Sequence, residues 1–132
     1  MNDATLAKTP SVIAWIAQLL AAAILGMAAL AKLTSNPDSV ALFTTLGVEP
    51  WGRYLVGACE TVAVLLLLRP RTAVLGGLLA TGLMVGAIGS HLFKLGVQYN
   101  GDPSLFGMAV VVLFAGILVV YLRRASLSLP GR

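Results

Sequence analysis

Arg53-Tyr54-Leu55-Val56-Gly57-Ala58-Cys59-Glu60 runs without a break into Thr61-Val62-Ala63-Val64-Leu65-Leu66-Leu67-Leu68. The second half of this stretch is apolar enough for the interior of a bilayer. Its midpoint is Glu60, the only acidic residue inside any long apolar run of the chain. A carboxylate at that depth costs about 2.5–3.5 kcal/mol on insertion scales unless it is paired, hydrated or protonated. A charge kept at such a cost marks a site by default, so the rest of the chain is best read by asking what surrounds Glu60.

The composition points the same way. Of 132 residues, 58% are hydrophobic and 11% charged, with a mean hydropathy of +0.93. Soluble domains carry about 25% charged residues, so the expected solvent is lipid. The length suits one domain over residues 1–132. The single cysteine, Cys59, excludes a disulfide or dithiol relay within the chain. The single histidine cannot build a metal site alone. No phosphate-binding glycine loop, metal-ligand spacing or nucleophile motif is present. There is thus no self-contained catalytic motif and no intrinsic cofactor site. The net charge of +4 comes from basic residues that flank apolar runs. That is a topology signal of membrane proteins rather than a nucleic-acid footprint.

Four helices follow from the apolar runs, at about 11–32, 51–68, 72–92 and 105–122, which predicts an all-α membrane four-helix bundle. The first run follows Lys8 and ends in small residues, as a signal peptide does, but it exceeds the roughly 7–15 residues of a signal h-region and reads as a helix. In the connector 33–50, Thr34–Asp38 is turn chemistry. Ser39–Leu46 predicts a short interfacial helix stopped by Gly47. Arg69-Pro70-Arg71 makes the turn between the second and third helices tight. The third helix carries Gly82-xxx-Gly86-xxx-Ser90, a small-residue ridge of the kind that packs membrane helices together. The fourth has no charge before Arg123 and is expected to face lipid widely.

Four crossings put both termini and the 69–71 turn on one side. That side holds six basic residues, Lys8, Arg69, Arg71, Arg123, Arg124 and Arg132, against Lys32, Arg53 and Lys94 on the other. The positive-inside rule then places both termini in the cytoplasm. Gln18, Ala22, Leu25, Ala29 and Lys32 share one face of the first helix. Arg53, Gly57 and Glu60 share one face of the second, and Gly77, Met84 and His91 one face of the third. These three faces are expected to meet. Gln18, Lys32, Arg53, Tyr54, Glu60 and His91 are the candidate ligand-binding residues. Each also has a plainer reading. Glu60 would be a staple paired with Lys32 or Arg53, or hydrogen-bonded by Gln18 or Thr81. His91 would bond a backbone carbonyl, and Arg53 and Tyr54 would be interfacial anchors.

The order of short motifs resembles the DoxX family of four-helix membrane proteins. Ala28-Ala29-Leu30-Ala31-Lys32-Leu33 is one part, Leu46–Pro50 followed by Tyr54–Glu60 the second, and Gly76 with Met84–His91 the third. The resemblance covers about residues 11–122. It implies a multi-pass protein of the bacterial inner membrane and matches Lys32, Glu60 and, less closely, His91 to the family's recurrent polar positions. Some relatives are small subunits of quinone-linked systems, such as a terminal quinol oxidase or a thiosulfate:quinone oxidoreductase. The resemblance thus implies at most an oxidoreductase subunit, with a bound quinone or a redox-protein partner supplying the chemistry. Homo-oligomers are a further expectation. Two other classes stay open: a structural or assembly protein with a buried Glu–Lys pair, and a small proton-coupled transporter using Glu60.

Overall fold

The computed structural model describes residues 3–125, with side chains from residue 11 onward. It is all helical among those residues. The elements are α1 (Asp3–Leu33), α2 (Pro37–Leu46), α3 (Trp51–Leu67), α4 (Ala73–Ser90) and α5 (Ser104–Arg123), with a π-type turn at His91–Leu95 continuing α4. Helix α1 starts eight residues before the apolar run, so the backbone of the polar stretch from Asp3 continues the helix rather than forming a separate tail.

Three segments are long and apolar enough to cross a membrane: Ser11–Leu33, Ala73–Leu95 and Ser104–Arg123. Helix α3, with 17 residues, stands at the lower limit of about 17 residues for a span. The four long helices pack in a cyclic order, α1 on α3, α3 on α4, α4 on α5 and α5 back on α1. The last segment has the smallest buried share of the three, 28% against 39% for the first, in keeping with a helix that faces lipid widely.

The short helix expected in the connector forms. Pro37 sits in its first turn, where a missing N–H costs nothing. The Asn36 side chain accepts a hydrogen bond from the Asp38 backbone N–H at 2.9 Å. Gly47 closes the helix with φ 78°, a left-handed conformation that glycine adopts without a Cβ penalty. Phe43 anchors it inward, and α2 touches α1, α3 and the His91–Leu95 turn.

The core is made of small side chains. Ala17, Ala21, Ala22, Ala63, Ala73 and Ala80 are buried with Leu25, Leu67, Val112 and Val119. The three faces read from the sequence do turn inward. Gln18, Ala22, Leu25, Ala29, Arg53, Gly57, Glu60, Gly77, Met84 and His91 are all buried, and Lys32 keeps 17% of its side chain exposed.

The glycine ridge needs correction. Gly82 and Gly86 are exposed, and a Cβ added at either would meet nothing within 4 Å. The close approaches lie elsewhere on α4. A Cβ on Gly77 would stand 2.8 Å from the Gly116 carbonyl oxygen, and one on Gly76 would stand 2.8 Å from the Leu67 backbone nitrogen. The reason is angular. Gly82 and Gly86 each lie two residues from inward-facing Met84, about 200° round the helix. Four-residue spacing of small residues marks a face on which a helix can pack, but not whether a neighbour packs there. Gly77→Leu should therefore lower thermal stability in detergent by about 1–3 kcal/mol through overpacking, while Gly86→Leu should leave the melting temperature of the isolated chain unchanged. Equal loss in both variants would mean that the Gly82–Gly86 face is covered.

Candidate functional site

Helix α1 ends, and α3 begins, at the same edge of the molecule, and Lys32 of α1 meets Arg53 and Glu60 of α3 there. Lys32 is in the last turn of α1. Its Nζ stands 3.1 Å from Glu60 Oε1 and donates a hydrogen bond to Oε2 at 3.3 Å. Oε1 is enclosed and, among the described residues, receives no hydrogen bond, so the charge of the Lys32 ammonium 3.1 Å away holds it. Glu60 is 2% exposed. The reach is made possible by Gly57, one turn from Glu60 on the same face of α3. A Cβ there would come within 3.0 Å of Leu33 Cδ2 and 3.2 Å of Lys32 Cβ. With hydrogen in that place, the end of α1 lies directly against α3.

Arg53 pairs with Glu49, one turn ahead of it, rather than with Glu60. Its Nε and Nη2 donate to Glu49 Oε1 and Oε2 at 2.7 and 3.0 Å, the fork geometry that makes arginine–carboxylate pairs strong. Nη1 donates to Ser35 Oγ at 3.0 Å and to the Lys32 carbonyl oxygen. That carbonyl belongs to the last turn of α1, where carbonyls lack intrahelical partners. Arg53 thus caps α1 from α3. The Tyr54 ring lies 4.4 Å below the guanidinium, a cation–π contact at a half-exposed tyrosine. Glu49 and Ser35 were not singled out from the sequence. The i, i+4 spacing of Glu49 and Arg53 was a readable signal, but Pro50 between them obscured the helical register.

His91 is buried, with Nδ1 2.9 Å from the Gly96 carbonyl oxygen and its ring edge-on to Phe106 at 5.7 Å between centroids. Among the described residues no hydrogen bond or ion pair links it to Lys32 or Glu60. Gln18 does not reach Glu60 either. It is fully buried at the opposite end, where Nε2 donates to the Leu67 carbonyl oxygen at 2.7 Å and Oε1 accepts from Arg123 Nε at 2.8 Å. Thr81 turns its hydroxyl back to Gly77 O at 2.7 Å. The candidate residues therefore form three separate places: the Lys32–Glu60–Arg53–Tyr54 cluster, the His91 turn and the Gln18 end. Among the described residues no group of three or more His, Cys, Asp or Glu side chains is placed to hold a metal ion.

The family model described as the DoxX-like family matches residues 16–122, a range that runs from just before Gln18 to the end of α5 and includes all three places. The chain belongs to the DoxX-like family. No curated protein and no solved structure matches it. In this DoxX-like chain Lys32–Glu60 and Arg53–Glu49 are ion pairs of comparable burial, and Arg53 holds the backbone that carries Lys32. Replacing Arg53 by Met should leave the Glu49 carboxylate without its cation and the Lys32 carbonyl with only the long 3.4 Å hydrogen bond from the Ser35 N–H, and should cost about 1–3 kcal/mol. Chemical unfolding in detergent measures it. An Arg53→Met variant as stable as the parent would show that water serves those acceptors equally well.

Proposed function

We propose that this chain crosses the bacterial inner membrane four times, as a four-helix bundle with both termini in the cytoplasm. We further propose that it serves as a non-catalytic small subunit of a quinone-linked oxidoreductase system. In this reading the Lys32–Glu60 pair, with Arg53 and Tyr54 beside it, receives a quinone or other lipid-soluble carbonyl compound between α1, α3 and α4. The observation that carries the reading is the incomplete pairing of Glu60. One of its oxygens is enclosed without a hydrogen bond among the described residues, and its cation is the partly exposed member of the pair. Lys32 Nζ has three N–H donors, of which Glu60 takes one by hydrogen bond. The ammonium can therefore donate to a ligand carbonyl without leaving the carboxylate. Any electron transfer would fall to a redox-protein partner. The family membership supports the membrane setting, and the six-to-three distribution of basic residues supports the orientation.

A second reading is favoured by Arg53. A residue that caps α1, grips Glu49 and thereby fixes Lys32 also fits a structural clamp, with the ion pair as a staple. A thermodynamic cycle separates the two. If the pair is only a staple, Glu60→Gln and Lys32→Met each strand a buried partner and cost about 3–5 kcal/mol, while the double substitution recovers much of the loss. If it is a ligand site, Glu60→Gln keeps the fold and lowers the amount of quinone retained on gentle purification, measured by mass spectrometry against the parent. A parent that retains no quinone or other lipid-soluble carbonyl compound above the level of bulk lipid would end the ligand reading.

Orientation is tested separately. With Cys59 replaced by Ala, Thr45→Cys and Gln98→Cys, both at exposed connector positions, should react with a membrane-impermeant thiol reagent in intact cells. Reaction only after the cytoplasmic face is opened would reverse the topology.

A further inference from the structure

The end of the molecule away from Lys32 has different electrostatics. Among the described residues its charged side chains are Arg69, Arg71, Arg123 and Arg124, all basic. The other half holds Lys32, Arg53 and Lys94 against Asp38, Glu49, Glu60 and Asp102. Positive charge is therefore gathered at one end, and its four arginines are engaged to different degrees. Arg123 turns inward. Its Nε donates to Gln18 Oε1 at 2.8 Å, and Gln18 Nε2 donates to the Leu67 carbonyl oxygen at 2.7 Å. That chain of bonds ties the end of α5 to the end of α3, just before the turn to α4. Arg124 covers the Tyr121 ring at 4.1 Å and gives one N–H to the Tyr121 carbonyl oxygen. Arg69 and Arg71 are exposed, and among the described residues neither side chain makes a hydrogen bond or an ion pair.

The turn that carries these two free guanidinium groups is itself held. Thr72 Oγ1 donates to the Leu66 carbonyl oxygen at 2.8 Å, and the Thr72 N–H donates to that of Arg69 at 3.2 Å. Pro70 fixes its own φ between them. Arg124 stands at the same level. A Cβ on Gly77 would come within 3.0 Å of Val120 Cγ2, so these positions are level on the packed helices α4 and α5. Four residues further toward this end, Ala73 opens α4 and Arg124 follows α5. Apolar surface runs right up to the charges: Leu68, just before Arg69, and Tyr121, beneath Arg124, are both exposed. Free cations bordered by exposed apolar side chains match a molecule that is anionic at its head and apolar behind it. An acidic protein segment would match the charge but not the apolar border.

We propose that the Arg69–Arg71 turn, with Arg124 beside it, binds the phosphate headgroups of anionic phospholipids, their acyl chains lying against Leu68 and the exposed apolar side chains next to it. Guanidinium is the group best suited to two-pronged contact with a phosphate, and basic clusters at the ends of membrane helices attract anionic lipid. The tied turn presents Arg69 and Arg71 without further ordering of the backbone. The site is independent of the Lys32–Glu60 cluster and of the quinone reading.

The test reads lipid contact by tryptophan quenching in the full chain. Leu68→Trp with Trp15→Phe and Trp51→Phe places the only tryptophan beside Arg69, whereas Trp15→Phe alone leaves Trp51 at the opposite end. Each is reconstituted in vesicles of phosphatidylcholine with increasing phosphatidylglycerol, one or the other lipid carrying bromine on its acyl chains. The expected result at position 68 is an apparent association at least about fivefold stronger for phosphatidylglycerol, the effect of one well-placed basic residue. At Trp51 the two lipids should stay within about twofold of parity. Adding Arg69→Gln and Arg71→Gln should bring the reporter at position 68 to within about twofold of parity as well, and Arg124→Gln alone should remove part of the preference. Circular dichroism checks folding of each variant. Equal quenching by both lipids at position 68 overturns the site and leaves the arginines to water or to an acidic protein segment. The same preference at Trp51 also overturns it, since that would reflect only the net positive charge of the chain. So does a preference that survives the loss of both Arg69 and Arg71. If the variant lacking both arginines does not fold, the comparison of the two reporters still decides.

Discussion

The structure depends on how charge is placed where water is scarce. A carboxylate in the middle of α3 is tolerated because a cation reaches it from α1, and that cation can reach it because glycine stands at position 57. Had residue 57 carried even a methyl group, it would have met Lys32 Cβ at 3.2 Å and Leu33 Cδ2 at 3.0 Å, and those neighbours would have to give by a few tenths of an ångström. Pairing Glu60 and approaching Gly57 are thus one constraint. The chain satisfies it once, and the α1–α3 interface follows.

Arg53 extends that constraint into the connector. Arg53 joins a carbonyl of α1, a hydroxyl of the 34–36 turn and a carboxylate just before α3. Of these groups the carbonyl has one other partner, the Ser35 N–H at 3.4 Å. Breaking any buried member leaves the others desolvated, which is why such networks are costly when partly satisfied. At the other end Gln18 is satisfied on both sides, while Arg123 Nη2 has no acceptor among the described residues.

Much of this was legible beforehand. Glu60 stood out because a lone acid interrupts an apolar run, and period-3.6 reading found the inward faces of α1, α3 and α4, including Gly57, Met84 and His91. Local chemistry placed α2 between Asn36 and Gly47. What was not legible depends on neighbours distant in sequence. Gln18 and Arg123 are 105 residues apart, and the reading that let Gln18 hydrogen-bond Glu60 could not show that the Leu67 carbonyl and Arg123 would claim it first. The Gly82–Gly86 ridge misled for the same reason: it is a real stripe of small residues, but the contacts of α4 are made through Gly76 and Gly77, on a different side of the helix.

The contrast between the two ends shows what separates a structural ion pair from a group held ready for something else. Arg53 has its carboxylate in fork geometry, two further donors on a hydroxyl and a carbonyl, and 3% exposure. Most of its donors are used, so it has little to offer a ligand, and its part is to fix Lys32. Lys32 has one bonded donor and an opening to the surroundings, and it sits on a carboxylate with a free lone pair. Saturation of donors, rather than burial or charge alone, is what distinguishes them. By that measure Lys32 with Glu60 at one end, and Arg123 Nη2 at the other, are buried groups that, among the described residues, still have bonding capacity to give.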